Sequence, residues 1–265
     1  MLVKDVMTRN VITIDKNRKL SDAIKLLEKN RISRVVVTDS GNLCGIVTEK
    51  DVVETLGSSR HRKLLPSSLH VSTAVRSNLI VVEKDAEVRE AALLMVQNKI
   101  NSLPVIDGGR LTGIVTATDL LKVLKDRKEK LGSILSRHVI AVPPTDRIVH
   151  ARRLMLDNKI SGLVVVEEGE VVGILTERDL VRALGKFKKL ADRYQHRRIR
   201  NMLVGDVMTQ DVKTLEVDAT VADAAKLMLE NSISGIPVTE KEKLAGIVTR
   251  ADLVRLLTLS SAHSL

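Results

Sequence analysis

Apolar residues follow two alternating spacings in the first quarter of the chain. Within residues 20–30 they recur at i, i+3, i+4 and i+7, which predicts an amphipathic helix; these residues are Leu20, Ala23, Ile24 and Leu27. Short apolar runs predict three strands, at residues 11–14, 34–38 and 45–48. With a further helix expected over 49–56, the order of elements is β-α-β-β-α.

This pattern occurs four times. The phrase Gly45-Ile-Val-Thr-Glu-Lys-Asp51 returns with small changes at residues 113–119, 173–179 and 246–252. The helices that precede the later copies are predicted at 88–98, 148–158 and 221–231, each ending at an Asn that we expect to stop the helix in the left-handed conformation. The predicted fold class is therefore α/β, built from four small repeats.

The repeats account for almost all of the 265 residues and leave no room for a separate catalytic domain. We expect repeats over 1–57, 69–125, 131–185 and 202–258, with a connector over 186–201. Each repeat is too small to bury both faces of its sheet, so the repeats should pair through their sheets.

Composition adds limits on the core and on the location. With one Phe, one Tyr and no Trp, the core must be aliphatic. The apolar runs are far shorter than the roughly 20 residues that cross a bilayer, and the first residues do not resemble a signal peptide. The single cysteine, Cys44, excludes an intrachain disulfide framework. We expect a cytoplasmic protein with no membrane partner.

The net charge of +10 is concentrated in the connectors, at residues 60–63, 122–130 and 186–200. Segment 186–200 has seven bases and one acid, and its apolar residues have helical spacing; these are Phe187, Leu190, Ala191 and Tyr194. One interpretation is an amphipathic helix with solvated charges. The other is a basic patch for nucleic acid, an acidic partner or the phosphates of a ligand.

The repeated Thr-x-x-Asp also has two interpretations. Thr at the N-cap and an acid three residues later form a capping box, which stabilises a helix start by about 1 kcal/mol. All four copies nevertheless keep the same Thr and Asp with a Gly three residues upstream. A short carboxylate beside a helix N-terminus can also accept hydrogen bonds from the two vicinal hydroxyls of a ribose.

These motifs resemble the CBS-domain family, named after cystathionine β-synthase. The resemblance rests on Gly-h-h-Thr-x-x-Asp (h, apolar) in all four repeats, on the openings Asp5-Val-Met-Thr8 and Asp206-Val-Met-Thr209, and on segments such as Ile32-Ser-Arg-Val35. It implies two tandem (Bateman) pairs, as in the gamma subunit of AMP-activated protein kinase. Such pairs are expected to close into a flat, disc-like pseudo-symmetric assembly within one chain, or to form a homodimer.

The resemblance also implies ligand sites in clefts between paired repeats, where AMP, ADP or ATP binds as a regulatory ligand. The resemblance implies that the ribose hydroxyls bind Asp51, Asp119, Asp179 and Asp252, with Thr48, Thr116, Thr176 and Thr249 nearby. Its adenine pocket is implied at Ile12, Ile80 and Ile140, with Lys213 departing from the pattern in the fourth repeat. The segments before the second strands contribute Ile32, Ser33, Arg34, Ile100, Ile160, Ser161, Ile233 and Ser234.

Phosphate recognition is the weakest part of the resemblance. The kinase subunit has His-Arg before the second strand, whereas here only Arg34 keeps a base. Lys50, Arg178 and Arg250 lie inside the Thr-x-x-Asp turns, either to reach a phosphate or to form a solvated face. A ligand without phosphates, S-adenosylmethionine, is therefore an alternative. The repeats contain no aromatic residue, which disfavours the stacking platforms of single-stranded nucleic acid binders.

We expect a regulatory sensor of adenosyl ligands that is not an enzyme and requires no cofactor. The six histidines form no metal-binding pair at i, i+4, and neither a nucleophile elbow nor a Walker loop is present. The sensor would regulate an unidentified client protein. The alternative is a scaffold that binds nucleic acid through its basic connectors.

Overall fold

A computed structural model describes residues 1–58, 60, 64–75, 79–188 and 201–259, without the side chains of 184–188. Most of the connector expected to form an amphipathic helix therefore lies outside the described residues, as do residues 61–63 of the first basic segment.

Each repeat has the predicted order β-α-β-β-α. The strands are Thr13–Asp15 (β1), Arg34–Asp39 (β2), Asn42–Thr48 (β3), Val82–Glu83 (β4), Ser102–Asp107 (β5), Arg110–Thr116 (β6), Ala141–Val142 (β7), Gly162–Glu167 (β8), Glu170–Thr176 (β9), Leu215–Glu216 (β10), Gly235–Glu240 (β11) and Lys243–Thr249 (β12). The helices are Val3–Val6 (α1), Leu20–Asn30 (α2), Glu49–Gly57 (α3), Val88–Asn98 (α4), Ala117–Leu121 (α5), Ile148–Asn158 (α6), Glu177–Lys188 (α7), Val221–Asn231 (α8) and Arg250–Leu256 (α9). In every three-stranded sheet the first strand is parallel and the third antiparallel to the middle one.

The first helix of each repeat has the predicted bounds, but the predicted role of its last Asn is wrong. Asn30 is still helical, and its side-chain amide donates to the carbonyl of Leu26 at 2.9 Å. The next residue, Arg31, takes the left-handed conformation with φ of 53°. The amide can reach a carbonyl four residues back only while Asn stays in the helix, so the turn falls one position later. The equivalent left-handed residues are Lys99, Lys159 and Ser232.

Tight two-residue turns join the second and third strands. Both turn residues have positive φ, the geometry that suits a right-twisted hairpin. The second of them is Gly41, Gly109 or Gly169 in the first three repeats. In the fourth repeat it is Glu242, at φ of 68°, so only this turn has a non-glycine residue with positive φ at the second position.

The chain divides into two compact units, each built from two repeats that are not adjacent in sequence. Unit 1 consists of Met1–Val11, Ile80–Val139 and Lys213–Leu265, and holds repeats 2 and 4. Unit 2 consists of Ile12–Leu79 and Ile140–Val212, and holds repeats 1 and 3. Within each unit the last helices of the two repeats contact each other, α5 with α9 in unit 1 and α3 with α7 in unit 2.

The cores are aliphatic, as predicted. In unit 2 one cluster of buried side chains runs through both repeats, including Val35 and Leu56 of repeat 1 and Leu163 and Leu175 of repeat 3. In unit 1 the buried side chains form two clusters, one mainly in repeat 2 and one mainly in repeat 4.

The segments that open the repeats explain the glycine of the repeated phrase. Thr8 exchanges two backbone hydrogen bonds of 2.9 Å with Ile114, which adds a short bridge to the edge strand β6. A Cβ atom on Gly113 would lie 2.5 Å from the sulfur of Met7. Two other copies show the same close approach, Gly173 with Met208 and Gly246 with Leu135. In these three repeats the glycine is therefore required because an opening segment crosses the strand at that point.

Candidate functional site

The capping interpretation of Thr-x-x-Asp is confirmed in all four repeats. In repeat 1, Oδ2 of Asp51 accepts hydrogen bonds from the Thr48 hydroxyl at 2.6 Å and from the Thr48 backbone N–H at 2.8 Å. The N–H of Asp51 donates back to the Thr48 hydroxyl at 3.2 Å. The other three motifs make the same three bonds, at 2.6–3.4 Å.

A fifth capping box shows what capping alone requires. Thr220 and Asp223 make the same three bonds at the start of α8, and Asp223 is exposed to solvent. There the hydrogen bond from the Thr220 hydroxyl is the main cause of a lowered pKa of Asp223. By contrast, Asp51 and Asp119 are only 3% and 6% exposed. Capping a helix therefore does not by itself account for burial of the motif carboxylates.

The segments before the middle strands lie against the motifs. The backbone N–H of Glu49 donates to the carbonyl of Ser33 at 3.0 Å, and that of Glu177 donates to Ser161 at 3.1 Å. Repeats 2 and 4 repeat this bond at 3.0 Å, from Ala117 to Asn101 and from Arg250 to Ser234. Just before these residues, the half-buried isoleucines pack on the cores; they are Ile32, Ile100, Ile160 and Ile233.

The residues expected to line the adenine pocket lie farther from the motifs. Ile12 precedes β1, and its carbonyl accepts a hydrogen bond from Val36 of the middle strand at 3.3 Å. The middle strand thus separates it from the strand that ends at Thr48. Ile80 and Ile140 are likewise half-buried, whereas Lys213 is exposed. Their part in an adenine pocket stays a prediction.

Three of the bases expected near a phosphate make contacts within the protein. The Arg34 guanidinium donates to the Ser33 hydroxyl at 2.9 Å, and Arg250 Nε donates to the carbonyl of Ile233 at 3.0 Å. Arg178 Nε of repeat 3 lies 3.0 Å from Oε1 of Glu49 in repeat 1. The interpretation of Arg178 and Arg250 as part of a solvated face is therefore wrong, because each is held by its surroundings.

Sequence reasoning missed two acids, Glu49 and Glu177, which follow the motif Thr in repeats 1 and 3. Glu49 is 7% exposed, and burial raises its pKa against the opposing effect of Arg178. Burial raises the pKa of Glu177 to about 7; Glu49 and Asp51 also raise it, while Lys50 and Arg34 lower it. The available signal was the acid–base pair inside both turns, Glu49-Lys50 and Glu177-Arg178.

In unit 1 the same positions carry Ala117 and Arg250, and the motif carboxylates have cations one turn later. Lys122 Nζ donates to Oδ1 of Asp119 at 3.1 Å. Arg255 lies 4.0 Å from Oδ1 of Asp252. The two units therefore share the cap but surround it with different charges.

Comparison with a family model identifies the repeats. The CBS domain model matches four segments, residues 3–58, 71–126, 131–186 and 204–259. The chain belongs to the CBS-domain family. Each matched segment contains one copy of the Gly-h-h-Thr-x-x-Asp phrase, so the four buried or nearly buried carboxylates occupy equivalent places in four CBS domains.

Relatives and solved structures extend over nearly the whole chain. The uncharacterized protein MJ1404 of Methanocaldococcus jannaschii is 33% identical over 96% of this chain, which spans 61% of that relative's length. MJ1225 of the same organism is 24% identical, over 96% of this chain and 98% of the relative.

The crystal structure of MJ1225, described as a proposed archaeal homologue of g-AMPK, superposes with a TM-score of 0.86 at 23% identity, covering 97% of this chain and 99% of that one. An uncharacterized Pyrococcus horikoshii protein superposes with a TM-score of 0.66 at 25% identity, covering 97% and 100%. These likenesses confirm the predicted fold class, α/β with the four CBS repeats of a double Bateman module.

The described ranges contain neither a membrane-spanning helix nor a metal-binding cluster. No helix there has the length and apolar character needed to span a membrane. Nor do those residues bring together three or more His, Cys, Asp or Glu side chains in a geometry that could hold a metal ion.

Proposed function

We propose that this chain is a regulatory module that binds an adenosyl ligand, such as AMP, ADP or ATP, through the ribose at its Thr-x-x-Asp motifs. One observation supports this proposal most strongly. Capping uses Oδ2 of each motif Asp, and the exposed Asp223 does the same work without burial. Each motif Asp and the segment before the middle strand, at Ser33 or its equivalent, thus form a common surface. Capping alone does not require this surface.

The chemistry of this surface suits a ribose. An ionised carboxylate accepts hydrogen bonds from vicinal hydroxyls, and each bond to a charged group contributes about 1.5–3 kcal/mol. The base would be held by aliphatic side chains and backbone groups, since Phe187 and Tyr194, the only aromatic residues, both lie in the connector.

Regulation requires that the ligand bind two conformations with different affinity. The motif Asp is the first-turn residue of helices that contact each other within each unit, α3 with α7 and α5 with α9. A ligand on that carboxylate is therefore well placed to alter helix packing, and through it an unidentified client protein. In this role the chain needs no catalytic chemistry of its own.

S-adenosylmethionine is the alternative ligand, favoured by one observation. Arg178 and Arg250 are engaged with Glu49 and with the carbonyl of Ile233, which leaves fewer bases for phosphates. The other alternative, a nucleic-acid scaffold, rests on connector residues that lie mostly outside the described ranges.

Calorimetric titration with AMP, ATP and S-adenosylmethionine tests the proposal. Asp51→Ala, Asp119→Ala, Asp179→Ala and Asp252→Ala should each remove or weaken one class of sites. Asp223→Ala is the matched control, because it removes the same capping box and should leave every affinity unchanged. The proposal fails if no ligand binds the wild type, or if the four variants lower only the melting temperature, as Asp223→Ala does.

A further inference from the structure

In unit 2 the motif turn of repeat 3 lies against the motif turn of repeat 1. Helix α7 contacts α3, and Arg178 of repeat 3 forms an ion pair of 3.0 Å with Glu49 of repeat 1. Glu49 is the residue between Thr48 and Lys50 in the motif of repeat 1. Charged side chains that belong to repeat 3 therefore reach the candidate site of repeat 1.

Glu177 is the second charged residue on this turn. Its N–H donates to the carbonyl of Ser161, and the residue is half-buried. The charged groups of repeat 1 that act on it are Lys50, Glu49 and Asp51 from α3 and Arg34 from β2. On its own helix, the neighbouring Arg178 is engaged with Glu49. Among the described residues, its carboxylate has neither a hydrogen bond nor an ion pair.

The two positive groups that act on Glu177 are the bases that a phosphate would use in repeat 1. Arg34 precedes the Thr-x-x-Asp motif on the middle strand, and Lys50 lies inside that motif. An ionised Glu177 attracts both bases and repels a phosphate placed near them. Neither effect changes the binding of an adenosyl ligand that has no phosphate.

We propose that Glu177 is a specificity-determining residue of the repeat 1 site, acting from repeat 3 to disfavour adenosyl ligands that carry a phosphate. The inference rests on the proposed function and names the ligand class of one of its sites. Repeat 3 does not experience the same effect in return, because Glu49 is already paired with Arg178. Repeats 2 and 4 lack it, because Ala117 and Arg250 occupy the equivalent positions.

The test compares adenosine with AMP on wild type and on Glu177→Gln, which keeps the shape of the side chain and removes its charge. Asp51→Asn identifies the part of the measured binding that belongs to the repeat 1 site, because Asn preserves the cap acceptor while losing the charge that binds ribose. At pH 8.5 we expect Glu177→Gln to bind AMP about tenfold more tightly at that component, with adenosine unchanged within about twofold. At pH 6 the wild type and the variant should bind AMP equally, because Glu177 is then mostly protonated.

The second ionisation of the AMP phosphate affects both affinities equally, since the same ligand at the same pH is compared on two proteins. Glu170→Gln is the control, an equal charge change at an exposed position of the same repeat. Equal AMP affinity of wild type and Glu177→Gln at pH 8.5 would overturn the inference while the proposed function stands. A matching change in adenosine affinity would also overturn it, since that indicates a structural role. Failure of wild type to bind either ligand overturns both proposals.

Discussion

The two units use the same helix cap in different electrostatic surroundings. In unit 2 the contact between α3 and α7 contains an ion pair between the buried Glu49 and the half-buried Arg178, and a second acid, Glu177. In unit 1 the positions equivalent to Glu49 and Glu177 are Ala117, which is buried, and Arg250, which bonds to a carbonyl of its own repeat. The residues between Thr and Asp, which vary, therefore decide how two repeats influence each other.

The largest effect expected is from Arg178→Met. This change leaves Glu49 buried without its partner and should cost about 3 kcal/mol, the low end for a buried pair because Arg178 is half-buried. Arg250→Met in unit 1 removes a hydrogen bond to a carbonyl and should cost about 1 kcal/mol. Denaturant unfolding at pH 7.5 measures both. Equal losses in the free energy of unfolding would show that the ion pair does not distinguish the units. Combining Glu49→Gln with Arg178→Met should recover most of the stability that Arg178→Met loses.

The next effect concerns a feature that the units share. Gly113→Ala in unit 1 and Gly173→Ala in unit 2 each force a Cβ into a methionine sulfur, Met7 or Met208, and should cost about 1–3 kcal/mol. Because the contact is the same in both, the two losses should agree. The substitutions Met7→Ala and Met208→Ala should partly relieve them, as thermal unfolding would detect. A loss in only one unit would contradict the common role of the opening segments.

Glu177→Gln should stabilise the protein increasingly as pH rises from 4.5 to 7. The folded pKa of Glu177 is raised from 4.5 to about 7, so the destabilising effect of its ionisation is absent below pH 4.5, develops between pH 4.5 and 7 and is complete above pH 7. After allowance for partial exposure, the gain at pH 8.5 should be about 1–2 kcal/mol. At pH 4 wild type and variant should differ little. A gain independent of pH would contradict the charge explanation.

The smallest effect is expected at the hairpin turn of repeat 4. Glu242→Gly replaces a non-glycine residue at φ of 68° by the residue that repeats 1 to 3 carry there. It should stabilise the protein by about 0.5–1 kcal/mol, since glycine avoids the steric cost of positive φ. Glu168→Gly, at the first turn position of repeat 3, provides a comparison in unit 2. Thermal unfolding would contradict this reasoning if Glu242→Gly were destabilising.

Local patterns were enough to predict the elements of this fold. The 3.6-residue spacing of Leu20, Ala23, Ile24 and Leu27 gave the bounds of α2, and Thr followed by Asp at the third helical position predicted the caps. The last Asn of each helix was misread, because its amide bonds to a carbonyl inside the helix and the next residue makes the turn.

The tertiary contacts were not accessible to this reasoning. The pairing of Glu49 with Arg178 joins residues of repeats that are not adjacent in the chain, so no local residue spacing predicts it. The need for Gly113 was hidden for the same reason, because the contacting Met7 belongs to the opening of another repeat. The ribose residues could be named from the motif, while their role still depends on a ligand measurement.

Titration of adenosine against 2′,3′-dideoxyadenosine tests the ribose assignment most directly. If the four motif carboxylates hold the vicinal hydroxyls, loss of both hydroxyls should weaken binding by about a hundredfold or more, from two hydrogen bonds to a charged acceptor. Asp223→Ala should show the same difference as wild type. Equal affinity for the two nucleosides would show that Thr-x-x-Asp serves in this chain as a helix cap and does not bind ribose.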